Sequence, residues 1–348
     1  MTTIKAWGAP AAGQPLTAMT IDRREPGPRD VVIDILFCGV CHSDIHQARD
    51  EWFPGTFPMV PGHEIIGRVV RVGAEVQKLA VGAMAGVGCM VDSCRTCRPC
   101  ERDLEQFCEK GNAPTYNGTE MDRRTPTYGG YSTQIVVDER FVLRVPDGLD
   151  PAGAAPLLCA GITTHSPLRQ FGVQRGDRVA VVGLGGLGHM GVKLAASMGA
   201  EVTVFSTTSA KEADARRLGA TGFAVTRGGD VFGRLAGQFD MVLDTVSAPH
   251  DYNAYLGLLR ARGAMYVVGA PPDAIPLHAF SLIMGGRTLA GSLIGGIAET
   301  QEMLDHCAAH RIVSDVEVIP AERINEAYER VLKSDVRYRF VIDIASMR

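Results

Sequence analysis

The chain reads as an α/β protein with two parts, a doubly wound parallel sheet and a mainly antiparallel β domain. Three observations predict this. Short β-like runs broken by Gly and Pro fill residues 1–150. From about residue 152, strand-like and helix-like segments alternate. A glycine-rich turn joins the first strand of that alternation to its helix. A length of 348 residues suits two domains, at about 100–200 residues each.

The β domain is expected over residues 1–152 and again over 293–348, and the parallel sheet over 153–292. In the β domain the runs Val31–Phe37, Ile65–Val72 and Tyr131–Val137 read as strands with long loops between them. Residues 90–127 hold few apolar runs and much Cys, Arg, Pro and Gly. A loop of that length needs a function or a staple. Further on, Arg178–Gly183 reads as a buried strand and Met190–Met198 as a helix. Glu201–Phe205 is the next strand, Ala210–Leu218 the next helix, and Phe239–Asp244 and Ala264–Gly269 are further strands. The return to the β domain brings a helix at Glu299–His310 and a closing strand at Tyr338–Ile344.

Bulk properties exclude several roles. Apolar residues make up 46% and charged residues 21%, as in ordinary globular proteins. A net charge of −4 gives no footprint for nucleic acid, and aromatics at 6% offer little stacking surface. The start, Met1-Thr-Thr-Ile-Lys-Ala-Trp7, is no secretory signal. No apolar run approaches the roughly 18 residues of a membrane span. A cytoplasmic protein is therefore expected. In that compartment nine cysteines point to metal or catalysis before disulfides.

Four of those cysteines are Cys94, Cys97, Cys100 and Cys108, spaced C-x2-C-x2-C-x7-C. Four thiolates on one loop can close a tetrahedral zinc site, and the metal supplies the cohesion that an apolar-poor segment lacks. A ferredoxin run starts alike, but its fourth Cys follows after three residues and precedes Pro. Here the last gap is seven and Glu109 follows. With all four positions filled, such a zinc is structural.

A second set is dispersed: Cys41-His42-Ser43-Asp44-Ile45-His46, then Gly62-His63-Glu64, then Cys159. A catalytic zinc needs about three protein ligands and one open position, and Cys2His is one such set. No short spacing joins these residues. Taken singly, Cys159 reads as a small core residue and His63 as a loop histidine.

Val179–Val182 runs into Gly183-Leu184-Gly185-Gly186-Leu187-Gly188, a strand, a G-x-G-x-x-G turn and a helix start. This is the dinucleotide-binding fingerprint of a Rossmann fold, with the pyrophosphate at the helix N-terminus. NAD-specific sites place an acid at the end of the second strand. Here Ser206, Thr207, Thr208, Ser209 and Lys211 stand there, with no acid before Glu212. Hydroxyls with a nearby Lys suit the 2′-phosphate of NADP. The same residues also read as an N-cap for the following helix.

Cys38-Gly-Val-Cys41-His-Ser-Asp-Ile-His46, Val60-Pro-Gly-His63-Glu64, the four-cysteine lobe, Cys159-Ala-Gly-Ile-Thr-Thr164 and Gly183-Leu-Gly-Gly-Leu-Gly-His189 together resemble the zinc-containing medium-chain alcohol dehydrogenases. The nearest branch is the cinnamyl alcohol dehydrogenase group with its bacterial NADP-dependent aldehyde reductases. The likeness runs nearly end to end, through Gly291–Gly295 and Asp335–Phe340. It implies a GroES-like catalytic domain beside the Rossmann domain. It implies hydride transfer between NADP(H) and a zinc-bound primary alcohol or aldehyde of broad range, two zinc ions per chain and a homodimer. The ligands of the catalytic zinc would be Cys41, His63 and Cys159, with Glu64 behind as an alternative ligand. Asp44 would orient His63. Ser43 would pass the substrate proton toward His46. His42 and Arg337 would face the pyrophosphate, and Thr163 and Leu187 the nicotinamide. Thr245, Val268, Gly269, Ser292 and Leu293 would complete the cofactor contacts.

Some positions depart from the branch. His165 stands where a Tyr is usual. Pro114 and Leu293 stand near positions where plant members carry large aromatics, which argues against a cinnamyl-type preference. Trp52 offers a pocket wall or a core residue. Cys38, Cys89 and Cys307 read as small apolar packing. Two rivals follow from the same fold: a cofactor-binding protein without turnover, and a polyol or formaldehyde dehydrogenase. The first is disfavoured by the complete ligand set, the second by the absent acid after the second strand.

Overall fold

The computed structural model describes residues 1–348 and divides into two compact units. One comprises Met1–Cys159 with Gly295–Arg348, and the other Ala160–Ile294. The divisions fall a few residues later than 152/153 and 292/293, which places Cys159 at the end of the first unit.

In the second unit six parallel strands run in the order Gly222–Val225, Glu201–Ser206, Arg178–Val182, Phe239–Asp244, Leu259–Val267, Thr288–Gly291. Numbered along the chain this is 3-2-1-4-5-6, the Rossmann order. The interior strands carry near-continuous apolar runs because both faces are covered. Val179–Val182 and Met241–Leu243 are almost wholly inaccessible. The helix after the glycine turn spans Gly188–Ser197, two residues earlier than expected. The segment after the second strand is a 3-10 turn, Ser209–Lys211, running into the helix Glu212–Leu218. Gly219, at φ 113°, stops that helix in the left-handed conformation that glycine adopts freely.

In the first unit a seven-stranded sheet runs Leu143–Arg144, Met84–Val87, Ile65–Val72, Asp30–Gly39, Arg339–Asp343, Val316–Pro320, and Gln134–Asp138 also pairs with Asp30–Gly39. All pairings are antiparallel except the last two strands of the path, which are parallel. Parallel neighbours need a crossover, and the helix Ile324–Leu332 supplies it. A hairpin of Thr2–Gly8 and Thr17–Arg23 adds to this unit. Residues 90–127 contain only two short ladders, Met90–Asp92 with Ala113–Pro114 and Gly118–Thr119 with Pro126–Thr127. No helix in the chain is long and apolar enough to cross a membrane.

Candidate active site

The strand Asp30–Gly39 delivers the chain to Cys41, which starts the helix His42–Ala48. Asp44, in the first turn of that helix, is completely buried and acts as a hub. It accepts hydrogen bonds from the Cys41 amide (2.9 Å), the Gly62 amide (3.1 Å) and the Tyr131 hydroxyl (3.2 Å), and its Oδ1 lies 3.0 Å from His63 Nδ1. One carboxylate thus ties the Cys41 loop to the His63 loop and leaves His63 Nε2 as the free ring nitrogen. Gly62 at φ 103° makes the turn before His63, and a Cβ there would lie 2.7 Å from Tyr131. Burial opposes a charged His63, but the charge and hydrogen bond of Asp44 more than offset it and raise its pKa well above the ordinary value.

Cys159 follows the 3-10 turn Ala155–Leu158, and its sulfur lies 3.9 Å from that of Cys41. One ligand atom each from Cys41, His63, Glu64 and Cys159 all lie within 4.8 Å of one another, and all four residues are buried. A tetrahedral zinc with bonds of about 2.3 Å to sulfur sets its ligand sulfurs roughly 3.8 Å apart, so the pair of thiols fits. Glu64 is inaccessible and one of its carboxylate oxygens, Oε2, has no hydrogen-bond partner. A buried orphan oxygen beside two thiols is a site built for a cation. Burial pushes the Glu64 carboxyl up to about 7, against the pull of Arg339, which pairs with it.

Around this cluster, Ser43 Oγ lies 3.6 Å from Cys41 Sγ. His46 Nδ1 meets Glu51 at 2.5 Å, and its ring stacks on Trp52 at 4.7 Å between centroids and on His42 at 6.2 Å. Trp52 is 41% exposed, so it is not a core residue. His63 stacks on the buried ring of Tyr116 at 5.8 Å. Pro114 sits on the short ladder opposite Met90. Of the two arginines in Asp335–Phe340, it is Arg339 that is buried against Glu64, while Arg337 lies on the surface. Sequence reasoning missed Arg339, Tyr131, Tyr116 and Glu51. Cys38 and Cys307 are buried, Cys307 against Met303. Cys89 sits against Cys159, whose hydrogen bond lowers its pKa; it is not simple apolar packing.

The four-cysteine lobe forms a second cluster, with its sulfurs within 4.8 Å of one another. Individual separations are 3.4 Å for Cys97–Cys100 and 4.0 Å for Cys94–Cys100 and Cys97–Cys108, close to the tetrahedral edge. Amides of Cys94 and Glu109 donate to Cys108 and Cys97 sulfurs, both at 3.4 Å. Such donors stabilise thiolates. The Thr96 backbone amide, ahead of all other causes, brings Cys94 down to about 6. All nine cysteines are free thiols, so the lobe is not stapled by disulfides.

In the second unit Gly183 turns at φ 86°, and Gly185, Gly186 and Leu187 lead into the helix at Gly188. Lys211 reaches back to the glycine turn, donating to the Leu184 carbonyl at 2.9 Å. Ser206 ends the second strand, and Thr207, Thr208 and Ser209 are exposed beside it. Thr245 Oγ1 donates to the Val182 carbonyl, and Val268 and Gly269 donate to the Asp244 carbonyl. Thr163 and His165 are buried on the helix Ala160–Phe171. Ser292 and Leu293 follow the sixth strand, Leu293 being 54% exposed.

A family model described as the alcohol dehydrogenase GroES-like domain matches residues 27–147, and one described as zinc-binding dehydrogenase matches residues 186–309. The chain belongs to the zinc-binding alcohol dehydrogenase family. It is 55% identical to NADP-dependent alcohol dehydrogenase C 1 of Mycolicibacterium smegmatis, covering all of both chains. It is 55% identical to aldehyde reductase YahK of Escherichia coli over 98% of each. Among solved structures, a cinnamyl alcohol dehydrogenase of Sorghum bicolor matches with a TM-score of 0.96 at 43% identity, over 100% of this chain and 99% of that one.

Proposed function

We propose that the protein reduces aldehydes with NADPH, and oxidises the matching primary alcohols with NADP, at a zinc held by Cys41, His63 and Cys159. The observation that carries this is the meeting of those three side chains with the orphaned carboxylate of Glu64. When bound, zinc supplies Lewis-acid polarisation and NADPH supplies the hydride. The remaining work falls to the chain. Asp44 fixes the tautomer and direction of His63. Arg339 balances Glu64 behind the ligands. Ser43 and His46 carry the substrate proton, and Glu51 sets the His46 ring. Ser206, Thr207, Thr208, Ser209 and Lys211 select NADP, because nothing there repels a 2′-phosphate. His42, Thr163, Leu187 and Arg337 would add cofactor contacts, as would Thr245, Val268, Gly269, Ser292 and Leu293.

A second zinc, on Cys94, Cys97, Cys100 and Cys108, holds the lobe and does no chemistry. The working form is a cytoplasmic homodimer. The helix Ala279–Ile283, which packs on the helix Tyr252–Leu258, and its cap expose Phe280 (70%), Ile283 (65%) and Met284 (78%). Such an exposed apolar patch is suited to a second copy.

The deciding experiment is a panel of aldehydes, with a polyol and formaldehyde included, assayed with NADPH and NADH. The expected result is turnover of several primary aldehydes, at least about tenfold better in kcat/KM with NADPH. A preference for NADH overturns the cofactor reading. Full activity in Cys159→Ala overturns the zinc site. No turnover with any substrate favours the non-catalytic rival.

A further inference from the structure

The turn after the fourth strand of the parallel sheet carries a charged pair that no step above uses. Asp244 closes that strand and is fully buried. It stands opposite Val182 on one side and Val267 on the other, next to the start of the glycine turn. Its Oδ1 accepts the Val246 amide at 3.1 Å. Its Oδ2 lies 3.2 Å from His250 Nε2, an ion-pair distance without hydrogen-bond alignment. His250 is itself held on three sides. Its Nδ1 lies 2.8 Å from the Ala248 carbonyl, its ring stacks on Tyr252 at 4.3 Å, and it meets Tyr255 edge-on at 5.4 Å.

The segment fixed by this pair packs directly on the glycine turn. Thr245 Oγ1 donates to the Val182 carbonyl at 2.7 Å. A Cβ on Gly183 would lie 2.7 Å from Val246 Cγ2, and one on Gly188 would lie 3.2 Å from Thr245 Oγ1. On its other side Val246 presses on Gly269, where a Cβ would meet its backbone carbonyl carbon at 2.6 Å. A shift of Val246 therefore moves the floor of the turn.

We infer that His250 is a positioning residue for the dinucleotide: paired with Asp244, it holds Thr245 and Val246 under Gly183–Gly188 and so sets cofactor affinity. The inference rests on reading Gly183–Gly188 as the cofactor site. The physical reason is charge. A buried carboxylate with one amide donor needs a cation beside it. The groups that face His250 are Asp244 from the strand and Asp251, Tyr252 and Tyr255 from the cap and helix of Tyr252–Leu258. Burial opposes a charged His250, but Asp244 outweighs it and the pKa is raised. Burial, with Asp244 adding, pushes both tyrosines up to about 12, so they stay neutral. As pH rises and His250 loses its proton, Asp244 keeps only neutral partners, the Val246 amide and the Tyr252 hydroxyl beside it, and the floor loosens.

The test is NADPH titration by cofactor fluorescence on the full-length zinc-loaded protein, from about pH 6 to 8.5 around the ordinary His range. In the wild type the Kd is expected to weaken as pH rises. H250A should bind about tenfold more weakly at acidic pH, with a flat pH profile, a higher KM for NADPH and little change in kcat. H250Q, which keeps a donor toward Asp244, should recover most of the affinity without the pH dependence. If H250A does not fold, H250Q and D244N carry the test, since each should flatten the profile. Wild-type Kd and pH profile in all variants would overturn the inference. So would an equal loss in H250A and H250Q with the wild-type pH slope retained, which marks a purely structural residue. A wild type that does not bind NADPH at any pH would instead sink the proposed function.

Discussion

His46 and Glu51 are joined twice: their side chains meet at 2.5 Å between Nδ1 and a carboxylate oxygen, and the Glu51 amide donates to the His46 carbonyl at 2.9 Å. The ring is thereby fixed in direction, with Trp52 stacked on its face. The proton-carrying role proposed for His46 would need such a fixed direction more than it needs strength. Replacing His46 by Ala should lower kcat about 10²-fold. Glu51→Gln should lower it about tenfold, and the double variant should be no worse than His46→Ala alone. Steady-state kinetics on the three variants decides this; wild-type kcat in Glu51→Gln would remove Glu51 from the relay.

Asp44 is the buried acceptor shared by the Cys41, Gly62, Tyr131 and His63 groups. Asp44→Asn removes its charge and turns one acceptor oxygen into a donor that faces donors. Zinc affinity at the catalytic cluster should fall by about 10–100-fold. Competition with a chromogenic chelator measures the change. An unchanged affinity would mean that His63 is oriented by its surroundings without Asp44.

In the lobe, Cys100→Ser should remove one zinc per chain and lower the melting temperature. Residues 90–127 have little regular structure to fall back on, two short ladders and two 3-10 turns. Metal analysis of wild type should give two zinc ions per chain, and one in this variant. Equal zinc in both would reject the lobe as a metal site.

The exposed Phe280 and Ile283 lie one helical turn apart on the helix Ala279–Ile283. Converting both to Asp should give a monomer by light scattering, with the circular dichroism unchanged. A wild type that is already monomeric would dispose of the dimer proposal outright.

What the sequence reveals depends on distance along the chain. The lobe cysteines lie within a single loop, so their spacing shows at once. The strand–turn–helix around Gly183–Gly188 is equally local. By contrast Cys41 and Cys159 are 118 residues apart, and Glu64 and Arg339 are 275 apart. No local pattern reports such meetings, and only the resemblance joined the first pair. Arg339 escaped notice because nothing near it in the chain marks Glu64 as its partner. Glu51 was missed although it is five residues from His46, because five is no helical repeat and the meeting depends on the turn after the helix. The strands Gly222–Val225 and Thr288–Gly291 went unread because they are four residues long and contain Gly.

The strand Arg339–Asp343 lies inside the first unit's sheet, paired to Phe37–Gly39 on one side and Val316–Pro320 on the other. Residues 160–294, a self-contained unit, are synthesised before it. On the ribosome the 160–294 unit is therefore complete while the segment 1–159, made before it, still waits for its inner strand. Until then Phe37–Gly39 presents an open edge, the kind of surface on which nascent chains associate wrongly. Chains halted at residue 338 are expected to show protease protection over 160–294 and cleavage within 1–159. Equal protection of both would mean that the first unit closes without its last interior strand.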